Sequence, residues 1–129
     1  MRIVTLTMVV GISMLSQTVR ERDAEWTVPA RQASKTNLLA GRTGVEAGGN
    51  KLFHERCSAC HGEDARGTDR GPSLTTRKVQ SQSDGSLFWK ISSGNTRTGM
   101  PTFSFLPGLQ RWQLVVHLRA QARGKAPLP

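Results

Sequence analysis

The pentapeptide Cys57-Ser58-Ala59-Cys60-His61 constrains this chain more than any other stretch of its 129 residues. Two thiols three positions apart can form thioether bonds to both vinyl groups of a haem, and the histidine directly after them then comes under the iron as proximal ligand. These are the only cysteines in the sequence, so the motif uses every thiol available. Two other chemistries use Cys-x-x-Cys. A thioredoxin-like dithiol needs a strand-to-helix setting that the flanking pattern lacks. Structural zinc needs four ligands, and His54, His61 and His117 do not stand at finger spacing.

A chain of this length favours one domain. A porphyrin would add a large apolar body and a covalent cross-link, so fewer side chains are needed to complete a core. Aromatic residues are scarce, with four Phe, three Trp and no Tyr. The expectation is an all-α fold, a small helical domain wrapped around a covalently bound haem c. The formal net charge is +9. Its basic residues are dispersed, which fits either a face that steers acidic redox partners or plain solubility. With no basic cluster and no recognition motif, nucleic acid is not expected as a partner.

The order along the chain supports export. Met1-Arg2 gives a positive start and residues 3–16 are uncharged and largely apolar, so 1–16 reads as a signal peptide or an anchor. The run is short for a membrane span. No cysteine lies near it, which excludes a lipid-modified start. Residues 17–43 read as a polar leader or tether with Trp26 as a local packing point, 44–124 as the haem domain and 125–129 as a tail. Within the domain, a helix is expected from Gly44 to Cys57, opened by a Thr43–Glu46 capping box. Gly49, Phe53 and Cys57 share one face of it, and the missing side chain at Gly49 points to a close helix crossing. A loop follows over 62–82, then a short helix from Asp84 (as N-cap) to Ser93, stopped by Gly94. Another loop spans 95–105. The last helix runs from Pro107 to Arg123 with a stripe of Leu109, Trp112, Val116 and Ala120, widened by Val115 and Leu118.

A haem held by His61 needs a sixth ligand or an open position. Met100 is the leading candidate, because Met1, Met8 and Met14 all fall in the export segment. Pro101 removes a backbone donor and holds that loop extended. A thioether favours reduced iron and raises the potential. His54 is turned away from the buried face and reads as solvated. His117 reads as a satisfied, partly buried histidine, with bis-histidine ligation as the alternative. Trp89, Arg77 and Arg97 are candidates for the haem propionates.

Residues 45–123 resemble a class I bacterial monohaem cytochrome c. The resemblance sets Gly49 and Phe53 where that family's first helix crosses its last, which here carries Trp112 and Leu114-Val115-Val116-His117-Leu118. His117 stands where the family often has tyrosine, a departure. Gly71-Pro72-Ser73-Leu74 is similar to the family's Gly-Pro-x-Leu loop, which implies that the Pro72 carbonyl accepts the proximal imidazole's hydrogen bond. Gly99-Met100-Pro101 is similar to the distal-ligand loop. The function implied is one-electron transfer by a periplasmic or membrane-attached carrier that is not itself an enzyme. The alternatives are a haem peroxidase or gas sensor with a labile sixth ligand, and a fixed electron-transfer subunit of a larger complex.

Overall fold

Two helices far apart in sequence frame the molecule, and the reason lies in a single residue without a side chain. The structure, a computed structural model, describes residues 26–124. The export segment at 1–16, the leader up to residue 25 and the tail at 125–129 lie outside the described residues. The helices are α1 (Ala30–Ala33), α2 (Val45–Arg56), α3 (Ser58–His61), α4 (Arg77–Gln80), α5 (Asp84–Ser93) and α6 (Gly108–Ala122), with a 3-10 turn at Thr96–Thr98. Among the described residues there is no β-strand, only two isolated bridges, Thr68 to Gly71 and Asn95 to Met100. The fold is all-α, as the sequence implied.

At Gly49, a Cβ would collide with the Gln113 carbonyl and come 2.8 Å from the Cβ of His117. Glycine costs about 1 kcal/mol inside a helix, and here it lets α2 and α6 approach backbone to backbone. Phe53, one turn on, fills the space beside the crossing with its ring 5.1 Å from the His117 ring. The core is completed by Leu114, Val115 and Leu118 of α6, Leu87 and Ile91 of α5, and Phe103 and Leu106 of the incoming loop. One expected core residue is absent from it. Leu109 is 60% exposed, because the crossing is centred at Gln113 and His117 and the first turn of α6 has passed beyond α2.

Two helix starts differ from expectation. The Thr43–Glu46 capping box does not form; Gly44, with φ 80, is the N-cap and no side chain caps the turn. A left-handed residue there swings Thr43 out of the capping position. Glu46 pairs instead with Arg123 at 3.6 Å across the crossing. In α5 the cap is Ser83, whose hydroxyl accepts from the Ser86 N–H at 3.1 Å. Asp84, one place inside, faces Arg119 at 2.8 Å. Arg119 also donates to the carbonyls of Gln80 and Gln82, which fastens the 80–84 segment to α6. This tie explains why the expected loop over 62–82 carries one helical turn, α4.

Residues 26–43 run along α5. Gly85 leaves room for this, since a Cβ would collide with the Gln32 carbonyl. The Ser83 hydroxyl donates to the Ala33 carbonyl at 2.7 Å. Asn37 is buried and donates to the Trp112 carbonyl at 3.3 Å. Trp26 donates its indole N–H to the Gly94 carbonyl at 2.8 Å, with the Lys90 ammonium 4.5 Å above its ring.

Candidate haem attachment site

The chain leaves α2 at Cys57, where φ −122 breaks the helix, and re-enters helix at the next residue as α3. The break is short because the Cys57 N–H still reaches the Phe53 carbonyl at 2.8 Å. The Cys60 and His61 N–H groups then return to the Cys57 carbonyl at 3.2 and 3.0 Å. The two thiols therefore sit on one tight turn, half-buried and unbonded to each other. Burial pushes the Cys57 thiol up to about 12; the Arg56 cation lowers it and Cys60 raises it further. It stays a thiol at neutral pH.

Below this turn the chain builds a tightly tied loop. The His61 Nδ1–H donates to the Pro72 carbonyl at 2.8 Å. A carbonyl can only accept, so Nδ1 carries a proton, and in the neutral ring Nε2 is then the nitrogen with the free lone pair. Four further bonds hold that carbonyl in place. The Gly67 N–H reaches the His61 carbonyl at 2.7 Å, Thr68 N–H the Gly71 carbonyl at 2.9 Å, and Leu74 N–H the Ala65 carbonyl at 2.7 Å. The Thr68 hydroxyl reaches the Cys60 carbonyl at 2.6 Å. Two glycines are required by the closeness of the strands of this loop. A Cβ on Gly67 (φ +90) would stand 2.6 Å from the Ser73 nitrogen, and one on Gly71 would stand 2.9 Å from the Cys60 carbonyl.

Met100 is fixed by a different device. Its N–H and carbonyl exchange bonds with Asn95 at 3.0 and 2.9 Å, closing a loop over the 3-10 turn. Gly99, with φ 92, makes the turn into Met100, and Gly94 has no room for a side chain against the Pro101 carbonyl. The Met100 side chain is half-buried and packs on the core.

The remaining sequence-predicted residues scatter. His54 is half-buried, edge-on to Phe53 at 6.1 Å. His117 is the clear correction: expected to be partly buried and satisfied, it is fully enclosed, and neither ring nitrogen has a hydrogen-bond partner among the described residues. It lies against the Phe53 ring and a helix whose carbonyls are already bonded. Burial, with His54 adding repulsion, lowers it from 6.5 to about 4. Of the propionate candidates, Arg77 is exposed at the start of α4, Arg97 is exposed on the 3-10 turn and Trp89 is half-buried on α5. Phe88 and Trp112 stack at 4.0 Å, with the Arg111 guanidinium 4.6 Å from the Phe88 ring. Sequence reasoning missed Thr68 and Gly67, which sit in a glycine- and charge-rich stretch with no periodic signal.

This arrangement fits a thioether-linked porphyrin. Leu52, Leu74, Val79, Met100 and Cys57 pack on the core yet stay only partly covered, an apolar set that a flat macrocycle would shield from water. Both thiols are available and the imidazole is oriented. Among the described residues no three His, Cys, Asp or Glu side chains converge, which leaves the motif short of ligands for structural zinc. A surface cavity of about 460 Å3 lies elsewhere, lined by Arg42, Glu46, Asp84, Arg119 and Arg123; its opposed charges answer one another. Residues 45–118 match the family described as cytochrome C oxidase, cbb3-type, subunit III. The match opens with α2 and closes inside α6, so it takes in the helix crossing and everything between. No curated protein matches the chain.

Proposed function

The chain belongs to the cbb3-type cytochrome c oxidase subunit III family, a c-type cytochrome domain of haem-based electron transfer, and from that premise we propose that it is a monohaem carrier of the class I type with His61 and Met100 as axial ligands. Haem c, when bound, supplies a reversible one-electron iron couple. The chain's own residues do the rest. Cys57 and Cys60 hold the macrocycle's vinyl side, and the Pro72 carbonyl keeps the proton of His61 on Nδ1, which strengthens Nε2 as a donor. The apolar set around Cys57 excludes water from the iron's surroundings. Met100 offers a soft thioether that favours the reduced state.

The observation that carries this reading over a peroxidase or gas sensor is the pinning of Met100 by its paired bonds to Asn95. A sensor needs a sixth position that opens readily, and the paired backbone bonds work against that opening. In the oxidised holoprotein we expect the red-region absorption band of a thioether on ferric iron, and its loss in Met100→Ala. Rapid carbon monoxide binding by the reduced wild-type protein, with no such band, overturns the reading.

Export to the outer side of the cytoplasmic membrane follows from the same proposal, with residues 1–16 as the signal. The net charge of +9 suits brief encounters with acidic redox partners. A second reading is favoured by the family's description as an oxidase subunit: a fixed electron-transfer subunit, with 1–16 kept as its anchor. No helix among the described residues is long and apolar enough to cross a membrane. The intact mass of the native protein and its co-purifying partners separate the two.

A further inference from the structure

Trp26 belongs to the segment read as a leader, yet its strongest polar contact is with the loop that presents Met100. Its indole N–H donates to the Gly94 carbonyl at 2.8 Å. That carbonyl and the Asn95 N–H belong to one planar peptide unit. The same Asn95 N–H donates to the Met100 carbonyl at 2.9 Å, and Asn95 accepts from the Met100 N–H at 3.0 Å. Trp26 therefore holds one side of a peptide plane whose other side holds Met100, and bonds on the two ends of one amide polarise each other in the strengthening sense. Gly94 has φ +60, a conformation open to glycine, and its carbonyl also accepts a longer bond from the Ser93 hydroxyl at 3.3 Å.

The strap is fastened at several points. The Lys90 ammonium lies 4.5 Å from the centre of the Trp26 ring. Further on, Ala33 is held by Ser83 and Asn37 by the Trp112 carbonyl. We infer that Trp26 is a positioning residue for the sixth ligand, and that residues 26–43 act as a strap setting how readily Met100 leaves the iron. This rests on the reading of Met100 as that ligand.

The test uses the full-length holoprotein and Trp26→Phe, which keeps a ring and deletes the N–H. Imidazole is titrated into the ferric protein, well below its melting temperature, to measure displacement of Met100. We expect imidazole to bind about fivefold more tightly to the variant, the factor that one net hydrogen bond of about 1 kcal/mol corresponds to. Hydrogen exchange at the Asn95 and Met100 amides in the reduced protein should speed up by a similar factor, with the Leu118 amide unchanged. Unchanged imidazole affinity in a wild-type protein that shows the red-region band overturns the strap alone. Equal acceleration at Leu118 marks general loosening and also overturns it. Absence of the band in the wild type overturns the ligand reading and the strap together.

Discussion

His117 sits where α2 and α6 touch, and its two ring nitrogens find no partner among the described residues. Burial holds its folded-state pKa near 4, against 6.5 when unfolded. Between those values the unfolded chain binds a proton that the folded one refuses, so stability falls as pH drops from 6.5 towards 4 and is retained above. The contribution is at most about 3 kcal/mol. His117→Phe should flatten this acid limb and gain about 1 kcal/mol at pH 7 by removing an unsatisfied polar group; denaturant midpoints at pH 7 and 4.5 check both. Beside His61, the proposed proximal ligand, Gly67→Ala would drive a methyl into the Ser73 nitrogen and displace the Pro72 carbonyl. The imidazole becomes a weaker donor, so we expect a raised midpoint potential in a redox titration. The Cys57–His61 motif stands out because the chemistry it suggests lies in five consecutive residues. His117's isolation was not, since it depends on which helix face meets it and on every nearby carbonyl being spoken for.

Among the elements, α2, α5 and α6 are readable from the sequence to within a residue or two, because period and stop signals coincide at each. Their caps were harder. Ser83 and Asp84 are both good N-cap residues, and tertiary contacts decide between them: Ser83 is held by Ala33 and Asp84 by Arg119. Ser83→Ala should cost about 1 kcal/mol in chemical denaturation. The helix crossing gives a sharper prediction. Alanine at Gly49 gains about 1 kcal/mol of helix propensity, but its methyl meets the Gln113 carbonyl, which belongs to a backbone that cannot turn aside. We expect a net loss of about 1–3 kcal/mol for Gly49→Ala, read as a lowered denaturant midpoint. Leu109 shows the limit of periodicity: it continues the stripe, but the partner helix has already ended its contact there.

For the whole molecule, the net charge of +9 acts through its summed field. Reduction of the oxidised protein by a small anionic reductant should slow as ionic strength rises, steeply up to about 0.15 M, where the screening length falls to about 8 Å. Stopped-flow rates against salt check this. The all-α architecture could be anticipated because a covalent cofactor and few aromatics leave little else for so short a chain. The course of residues 26–43 could not. Its anchors, Trp26 and Asn37, are single side chains reaching for backbone carbonyls, which leave no periodic trace.

The bare glycine at the crossing carries a last implication. Because the two framing helices grip each other directly, the covalent path between them is dispensable to that grip. A protease nick at exposed Asp69–Arg70 should leave two fragments that co-elute as one species, and that rejoin when mixed after separation.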